Sequence, residues 1–197
     1  MLFGIKSSYL LELEEILRDA GSSVVKLDDQ SREQLSAYVN EVSKSENREG
    51  RRFLISAGDP GTRRALYLKA IQLGLEPHHW VAHSSSSVSP SASIGVGTHI
   101  NRLTTIASRV MIGRNVLVNR SCSVGHDSRV FDHVSFGPGV IIPAHVTVHE
   151  AARLGAGCVF IPGISVGAGA IVGAGAVVVK DIRPNETVFG NPARPRN

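Results

Sequence analysis

The chain has 197 residues, a length that is enough for one large domain or two small ones. Its formal net charge is +4, and it contains 20 glycines and only 5% aromatic residues. Its two cysteines exclude a disulfide framework and a cysteine-ligated metal centre, and we expect both to be small buried side chains. The basic residues are scattered and lack interleaved aromatic residues, so we predict no nucleic-acid partner.

Residues 1–83 are predicted to form a small parallel α/β unit, because short apolar runs alternate with segments of helical periodicity. Gly21 ends the first helix, and a capping box from Ser31 to Gln34 begins the second. In chain order the predicted elements are strand 2–5, helix 9–21, strand 23–29, helix 31–44, strand 53–57, helix 62–74 and strand 80–84.

The N-terminus has no basic segment followed by a long apolar core, so we predict no signal peptide and a cytoplasmic protein. Residues 154–179 carry no charge, and the stretch is long enough to resemble a membrane span. The repeat described next explains this stretch without a membrane, and we therefore predict no membrane insertion.

Residues 84–182 contain an unbroken repeat of six residues. Sixteen positions at steps of six from Val88 to Val178 are all aliphatic or Phe. A period of six fits neither a helix nor an uninterrupted alternating strand, but it fits a short strand followed by a corner. Three hexads make one triangular coil, and stacking the coils places the repeated residues inside. We therefore predict a parallel β-solenoid of a little over five coils over residues 84–182, followed by a C-terminal segment at 183–197.

Glycine follows the same period. Of 13 glycines between residues 88 and 178, seven come directly after the repeated apolar residue and six come three residues after it. Asn101, Asn115 and Asn119 occupy equivalent places. We expect these residues wherever the chain turns with a positive φ.

The hexads IGVGTH, VGAGAI and VGAGAV resemble the hexapeptide repeat of left-handed β-helix acyltransferases, and the ending VVVKDIRPNETVFGNPARP is similar to the C-terminal segment of that superfamily. The left hand of the predicted β-helix is implied by this resemblance, since periodicity alone does not give it. A small α/β domain before the solenoid narrows the resemblance to the sialic acid O-acetyltransferase and UDP-4-amino-sugar N-acetyltransferase family of bacterial surface-glycan pathways. The resemblance implies transfer of an acetyl group from acetyl-CoA to a sugar.

The first strand–helix turn departs from that family's pattern. The family has a glycine-rich turn that can hold nucleotide phosphates through backbone N–H groups, whereas this chain has GIKSSYL, in which Tyr9 obstructs a close approach. Whether a nucleotide is attached to the sugar therefore stays open. The resemblance implies that the α/β unit is a Rossmann-like sugar-substrate domain. The residues implied to bind the substrate are Lys6, Ser7, Ser8, Asp28, Asp29, Gly58 and Asp59.

The stretch VNRSCSVGHDSRV places His126 and Asp127 at a corner of the predicted solenoid. The family has Asn, six residues, then His followed by an acid, and Asn119, His126 and Asp127 match all three. The resemblance implies that these residues are catalytic, with His126 as the general base that takes a proton from the attacking amine or hydroxyl. Imidazole suits this role because it titrates near neutral pH. Asp127 is expected to orient the imidazole or to support its charge.

Residues 88–197 carry 10 Lys and Arg against 5 Asp and Glu, and such a basic surplus suits the phosphates of CoA. In the family CoA lies in a groove between neighbouring solenoids of a trimer, so the resemblance implies a homotrimer. It also implies that CoA contacts the glycine-rich coils and the segment GNPAR at 190–194. The residues concerned are Ser135, Gly137, Gly155, Ala156, Gly173, Ala174, Lys180, Asn191, Pro192 and Arg194.

The family often carries a second His nine residues after the first, where this chain has Ser135, and whether His133 substitutes for it stays open. The other solenoid histidines, His99, His145 and His149, are expected at surface corners. A catalytic zinc site needs about three convergent ligands, and we find no such set in the sequence, so we predict no metal.

The leading hypothesis is transfer of the acetyl group to an amino group of a nucleotide-linked sugar, and three alternatives accompany it. The first is O-acetylation of a sugar or sialic acid hydroxyl, and the second is a non-catalytic β-solenoid scaffold, which the altered turn and Ser135 favour. A metal-dependent lyase is a third alternative that bound zinc would reveal. The sequence leaves open the identity of the sugar, the choice between an amino and a hydroxyl acceptor, and whether the acyl group is acetyl.

Overall fold

The computed structural model describes residues 2–4, 26–28, 52–72 and 74–196. The first strands form one parallel sheet in the order β2-β1-β3-β4. Their bounds are β1 Leu2–Gly4, β2 Lys26–Asp28, β3 Arg52–Ile55 and β4 Glu76–Pro77. The small parallel sheet predicted ahead of the solenoid is confirmed.

Helix α1, Pro60–Gln72, connects β3 to β4. Asp59 caps its first turn, because Asp59 Oδ1 accepts a hydrogen bond from the Thr62 N–H at 2.8 Å. Gly74 lies beyond the helix with φ of 75°, a conformation that glycine adopts without strain. The helix predicted over residues 62–74 therefore begins and ends two residues earlier than expected.

A strand forms within residues 80–84, but its predicted place in the N-terminal sheet is wrong. Strand β5, Val81–Ala82, pairs with β8, His99–Ile100, in the solenoid, and β4 takes the fourth place in the N-terminal sheet. The reason is visible in the sequence, since Ala82 continues the six-residue period one step before Val88. The helices predicted over residues 9–21 and 31–44 lie outside the described residues.

The solenoid consists of two-residue strands that recur every six residues. After β5 these are β6 Ser87–Val88, β7 Ser93–Ile94, β8 His99–Ile100, β9 Thr105–Ile106, β10 Met111–Ile112, β11 Leu117–Val118, β12 Ser123–Val124, β13 Arg129–Val130, β14 Ser135–Phe136, β15 Ile141–Ile142, β16 Thr147–Val148, β17 Arg153–Leu154, β18 Val159–Phe160, β19 Ser165–Val166, β20 Ile171–Val172 and β21 Val177–Val178. The chain closes with β22, Thr187–Phe189, and β23, Arg194–Pro195, which pair antiparallel.

Each solenoid strand pairs in parallel with the strand one coil further on, as Ile112 pairs with Val130. The strands form three faces. The first face has the order β23-β22-β20-β17-β14-β11-β8-β5, the second β19-β16-β13-β10-β7, and the third β21-β18-β15-β12-β9-β6. The predicted parallel β-solenoid is confirmed, with about six coils because β5 adds a strand at the start.

The second residue of each strand points into the coil and the first points outward, so that Ile112 is 4% exposed and Met111 is 52% exposed. The interior is one continuous aliphatic core in which Phe136 and Phe160 are the largest side chains. Cys122 and Cys158 are free and buried in this core, as expected. Burial raises the pKa of these thiols to about 11 and about 12, so they stay protonated at neutral pH.

The regularly spaced glycines are needed for two different physical reasons. The six that come three residues after the apolar position have φ between 66° and 78°, as predicted. For the seven that follow the apolar position directly the prediction is wrong, since none has a positive φ. A Cβ on these seven would lie 2.3–2.8 Å from its nearest neighbour, for instance 2.5 Å from Ala174 N at Gly155. Of the three asparagines, Asn115 has a positive φ, of 52°.

Helix α1 packs against part of the first face, and we call this contact the seam. Tyr67 of α1 meets His133 edge to face with ring centroids 5.6 Å apart. Under the helix the outward residues His99, Leu117 and Ser135 are buried, whereas the outward residues further along the same face are exposed. The expectation that His99 lies at a surface corner is therefore wrong.

In the ranges that the structure describes, no helix is both long enough and apolar enough to cross a membrane.

Candidate active site at the His126 corner

His126 and Asp127 form the corner between β12 and β13. Asp127 has φ of 60°, and its N–H donates to Ser108 O in the preceding coil at 3.2 Å. This bond continues the contact between coils around the corner. The His126 side chain is 52% exposed, so the corner presents an imidazole to solvent.

The His126 ring is held by its acidic neighbour. His126 Nδ1 lies 2.7 Å from Asp127 Oδ2, and Arg109 donates to the same carboxylate through Nε and Nη2, each at 2.7 Å. These bonds place the pKa of the Asp127 carboxyl well below its usual range, with Arg109 the largest cause and His126 the next. A carboxylate that is ionised at neutral pH can only accept, so Nδ1 carries the proton and Nε2 is the basic nitrogen of the neutral ring.

His145 also belongs to this corner, one coil further on. Its ring meets the His126 ring edge to face, with centroids 5.3 Å apart, and its N–H donates to His126 O at 3.1 Å. The expectation that His145 lies at a surface corner is confirmed, but the sequence did not indicate its contact with His126. The ligand atoms of His126, Asp127 and His145 lie within 4.8 Å of one another, which is close enough for a metal ion. The expectation that no three possible ligands converge is therefore wrong at this corner. Arg109 already bonds to both oxygens of the Asp127 carboxylate, and the absence of a metal stays a prediction.

Asn119 lies on the same coil as His126 but is fully buried. Its Oδ1 accepts a hydrogen bond from the Arg120 N–H at 2.8 Å, and its backbone carbonyl accepts one from Thr104 Oγ1 at 2.9 Å. These contacts give Asn119 a role in the turn. Its assignment as a catalytic residue stays a prediction.

The glycine-rich residues predicted to meet CoA form a second corner, which we call the glycine corner. Gly137, Gly155 and Gly173 lie there on successive coils, and Ala156 and Ala174 beside them are exposed. The third face separates this corner from the His126 corner, since the chain runs from Gly137 through β15 to His145. With six residues per side, the two corners of one chain are about 20 Å apart.

The remaining residues predicted to bind CoA lie near the end of the solenoid. Lys180 and Arg194 line one pocket of about 280 Å³ together with Asp181. Asn191 and Pro192 are exposed in the turn between β22 and β23. The arrangement brings two cations to one end of the solenoid, and their contact with CoA stays a prediction.

Ser135 has a different environment from the other predicted CoA residues. It is 4% exposed and lies in the seam, where its Oγ donates to Gly58 O at 2.8 Å and accepts from Arg63 Nη1 at 2.5 Å. His133 is also buried there, and its Nδ1 accepts from Asn115 Nδ2 at 2.8 Å. Burial is the main cause that lowers the pKa of His133, which keeps this ring neutral.

Of the residues predicted to bind the substrate, Gly58 and Asp59 lie between β3 and α1, at the carboxyl end of β3. The Asp59 carboxylate caps α1 and also lies 3.8 Å from Arg153 Nη1. Asp28 ends β2, in the same sheet. Lys6, Ser7, Ser8 and Asp29 lie outside the described residues, so the binding of substrate by this set stays a prediction.

Three residues make contacts that the sequence analysis did not predict. Arg109 precedes Asp127 by one coil and His145 follows it by one coil, so a search at the coil period would have found both. Arg63 is fully buried in α1, and its partners in the solenoid are 52 to 72 residues away. No sequence signal indicates contacts at such a separation.

No family model matches the chain. Among curated proteins it is similar to GDP-perosamine N-acetyltransferase of Escherichia coli, with 38% identity over 126 residues that cover 61% of this chain and 57% of the relative. The chain spans about half the length of the first curated relatives it matches.

Solved structures are similar over nearly the whole chain. One is a histidine mutant of perosamine N-acetyltransferase from Caulobacter crescentus in complex with CoA and GDP-perosamine, with 27% identity, 100% of this chain and 96% of that chain covered, and a TM-score of 0.90. Another is the acetyltransferase domain of PglB from Neisseria gonorrhoeae, with 27% identity, coverage of 99% and 98%, and a TM-score of 0.87. The fold therefore matches a left-handed β-helix acetyltransferase, as predicted.

Proposed function

We propose that this chain, a relative of the hexapeptide-repeat sugar acetyltransferases, transfers an acetyl group from acetyl-CoA to an amino group of a nucleotide-linked sugar in bacterial surface-glycan biosynthesis. The observation that carries the proposal is the exposed imidazole of His126, whose Nδ1 is held by the Asp127–Arg109 pair at 2.7 Å. In the described part of the chain no hydrogen bond occupies His126 Nε2, which is therefore available to a substrate. The similarity to a structure that holds CoA and GDP-perosamine supports both substrates.

The corner suits direct transfer. The neutral amine attacks the thioester carbonyl while His126 Nε2 takes the proton that the amine loses, so the new C–N bond forms without a charged amine. The C–S bond then breaks, and the imidazolium returns the proton to the departing thiolate. The products are the N-acetyl sugar and CoA, and His126 ends in its starting state. Asp127 stays ionised throughout and stabilises the imidazolium, as its lowered pKa requires.

CoA is proposed to lie along the glycine corner, where Gly137, Gly155 and Gly173 lie beside small alanine side chains. Exposed Ala156 and Ala174 leave room for a pantetheine chain. Lys180 and Arg194 at the end of the solenoid supply positive charge for phosphate groups. Ser135 keeps its predicted role beside CoA only if the acyl end reaches the seam, since its hydroxyl is buried there.

A homotrimer is proposed because it brings the two corners together. Within one chain the His126 corner and the glycine corner are about 20 Å apart along the third face. When flat-sided solenoids pack side by side in a cyclic trimer, the His126 corner of one chain can lie beside the glycine corner of its neighbour. The active site would then be complete only in the assembly.

The acceptor is proposed to bind at the carboxyl ends of the N-terminal strands, which is where open parallel sheets place their ligands. Gly58 and Asp59 follow the carboxyl end of β3, and Asp28 is the last residue of β2 in the same sheet. Lys6, Ser7, Ser8 and Asp29 are proposed to complete the pocket. A nucleotide on the sugar is proposed from the similarity to the complex with GDP-perosamine.

The test measures release of the CoA thiol from acetyl-CoA with a panel of nucleotide-linked amino-sugars, free amino-sugars and sialic acids. We expect turnover with a nucleotide-linked amino-sugar, and a fall in kcat of about 10²- to 10⁴-fold for His126→Ala. His149→Ala is the matched control, because this half-buried histidine stacks on Phe131 at 5.1 Å, away from the site.

The other outcomes separate the alternatives. Undiminished turnover in His126→Ala would remove this residue from the mechanism. Turnover on hydroxyl acceptors alone would make the protein an O-acetyltransferase. If calorimetry finds no heat with acetyl-CoA at millimolar concentration, the chain is a non-catalytic scaffold.

A further inference from the structure

Arg63 joins the two units of the chain through its side chain. It lies in the first turns of α1, and its side chain is fully buried. All three guanidinium nitrogens donate hydrogen bonds across the seam. The acceptors are Asn115 O at 3.0 Å, His133 O at 2.6 Å, Val134 O at 2.8 Å, Ser135 Oγ at 2.5 Å, Ala57 O at 2.9 Å and Gly58 O at 3.4 Å.

Five of the six acceptors fall into two groups, and the sixth, Asn115 O, lies one coil before His133. Ala57 and Gly58 precede Asp59 at the carboxyl end of β3, the edge where the acceptor is proposed to bind. Residues 133–135 follow His126 on the same coil of the solenoid. One guanidinium is therefore bonded both to the acceptor edge and to the coil that carries the proposed base.

The contacts indicate alignment rather than charge pairing. Among the described residues, no carboxylate accepts a hydrogen bond from Arg63, and its partners are five carbonyl oxygens and one hydroxyl. A guanidinium is planar and its five N–H groups have fixed directions, so its partners can move little without breaking bonds. An ammonium group has three donors on a flexible stem and cannot reproduce this geometry.

Other contacts fix the same seam. The Ser135 hydroxyl donates to Gly58 O at 2.8 Å, so it bridges the two groups directly. Asn115 Nδ2 bonds to His133 Nδ1 at 2.8 Å, and Tyr67 packs on the same imidazole. These donors are buried and paired, so they hold α1 in one position on the solenoid, although Asn115 Oδ1 has no hydrogen-bond partner among the described residues.

The geometry points to Arg63 as the positioning residue that fixes the acceptor-binding edge on the solenoid. The α/β unit covers the first face and His126 lies at the opposite corner, between the second and third faces. In the proposed trimer Arg63 therefore sets the distance between this edge and the His126 corner of the neighbouring chain. This inference rests on the proposed acetyl transfer. In a direct transfer the amine and the thioester must meet near His126 Nε2, and a misplacement of about 1 Å can cost about 100-fold in rate. Arg63 acts through the loop at 57–58 and through residues 133–135, and it is not proposed to touch either substrate.

The test compares Arg63→Lys and Arg63→Met with Arg64→Gln. Arg64 is the matched control, since it is the next residue of α1, carries the same charge and reaches the solenoid through an exposed ion pair with Glu150 at 3.6 Å. For both Arg63 variants we expect kcat to fall about 10- to 100-fold, while the Kd values for CoA and for the acceptor stay within about threefold of wild type. For Arg64→Gln we expect kcat within about twofold of wild type.

Hydrogen exchange supplies a readout that does not need turnover. In the Arg63 variants we expect faster exchange in residues 53–75 and unchanged exchange in solenoid strands β15–β21. If Arg63→Lys does not fold, the comparison with Arg64→Gln is made with Arg63→Met. Methionine is an apolar side chain of similar length, so this variant removes the buried charge together with its hydrogen bonds.

Two results would overturn the inference. One is an unchanged kcat together with unchanged exchange in residues 53–75. The other is a loss of CoA affinity equal to the loss of kcat, which would assign Arg63 to the CoA site. If the wild type acetylates no acceptor, the proposed function fails, and the exchange data alone then decide whether Arg63 holds the two units together.

Discussion

The His126 corner and the seam lie on the same coil and use the same kinds of residues in opposite ways. His126 is exposed and meets a carboxylate that Arg109 holds from outside. His133, seven residues later, is buried, neutral and bonded to Asn115. An imidazole that remains open to solvent can exchange protons with a substrate, whereas one enclosed under a helix contributes to packing.

The arginines differ in the same manner. Arg109 is exposed and pairs with Asp127 in a high-dielectric environment, where such a pair contributes little to stability. Arg63 is fully buried, and no carboxylate of the described residues accepts a hydrogen bond from it. Burial lowers its pKa to about 9, opposed by Asp59. It stays charged at neutral pH, so its hydrogen bonds keep their strength. The His126 corner is therefore suited to proton transfer, and the seam is suited to holding the α/β unit in place on the solenoid.

The largest expected effect is the loss of packing in the seam when the ring of Tyr67 is removed. Tyr67 is 7% exposed and packs on Phe53 at 5.3 Å and on His133 at 5.6 Å. We expect Tyr67→Ala to lower the free energy of unfolding of the α/β unit by about 3 kcal/mol. Urea unfolding followed by circular dichroism and hydrogen exchange measures the change.

Leu68→Ala is the control for that variant, since Leu68 lies next to Tyr67 in α1 and is 47% exposed. It should shift the unfolding free energy by less than about 0.5 kcal/mol. Equal losses in the two variants would show that the seam adds nothing beyond the helix itself.

The second prediction compares two similar Arg–Asp pairs. Arg109–Asp127 and Arg114–Asp132 both span one coil and both have contacts of 2.7 Å, but only the first meets His126. We expect Asp127→Asn to lower kcat by about 10- to 100-fold, because the imidazolium loses its charged partner. We expect Asp132→Asn to leave kcat within about twofold.

Steady-state kinetics at saturating acetyl-CoA and acceptor would measure both variants, with melting temperatures to exclude unfolding. If Asp132→Asn slows the reaction as much as Asp127→Asn does, the effect comes from the solenoid corners in general. The orientation of His126 by Asp127 would then be refuted.

The smallest expected effect concerns the acid side of the stability profile. Burial lowers the pKa of His99 to about 3, and its Nδ1 has no hydrogen-bond partner among the described residues. The unfolded chain takes up a proton on this histidine near pH 6.5 and the folded chain does not, so stability falls as the pH drops from about 6.5 toward about 3. The slope from one such group is at most about 1.4 kcal/mol per pH unit.

His99→Leu should flatten this slope, because it removes the proton that only the unfolded chain binds. Urea midpoints at pH 7, 6, 5 and 4 would measure the effect against His79→Leu, a control on an exposed histidine. A slope that stays the same in His99→Leu would mean that His99 accepts its proton in the folded state.

Much of the fold followed from the sequence because the solenoid is built from contacts that repeat locally. The period of six determined the strands, the inward residues and the coil of 18 residues, since each position meets its equivalent one coil away. The same logic gave the His126 corner and the neighbouring Asp127. It would also have given Arg109 and His145, had the coil period been applied to the polar residues.

The sequence by itself did not distinguish the two kinds of glycine. A glycine with positive φ, such as Gly139, and a glycine whose Cβ would meet the next coil, such as Gly155, recur with the same period. Only the structure separates a backbone conformation that a single residue needs from the close approach of two coils. The assignment of residues 80–84 to the N-terminal sheet failed for a related reason, since the sequence of a two-residue strand does not indicate which sheet it joins.

The sequence determined the repeat and the core, because these depend on residues that are close in the chain or one period apart, and the resemblance to a known family supplied the candidate base. The tertiary structure alone decided which face of the solenoid is covered, and therefore that Ser135, His133 and His99 are buried while His126 is open. That choice depends on helix α1 meeting residues 52 to 72 positions further on, through the donors of Arg63. Contacts at such separations follow from the packing of two units, which no local pattern encodes.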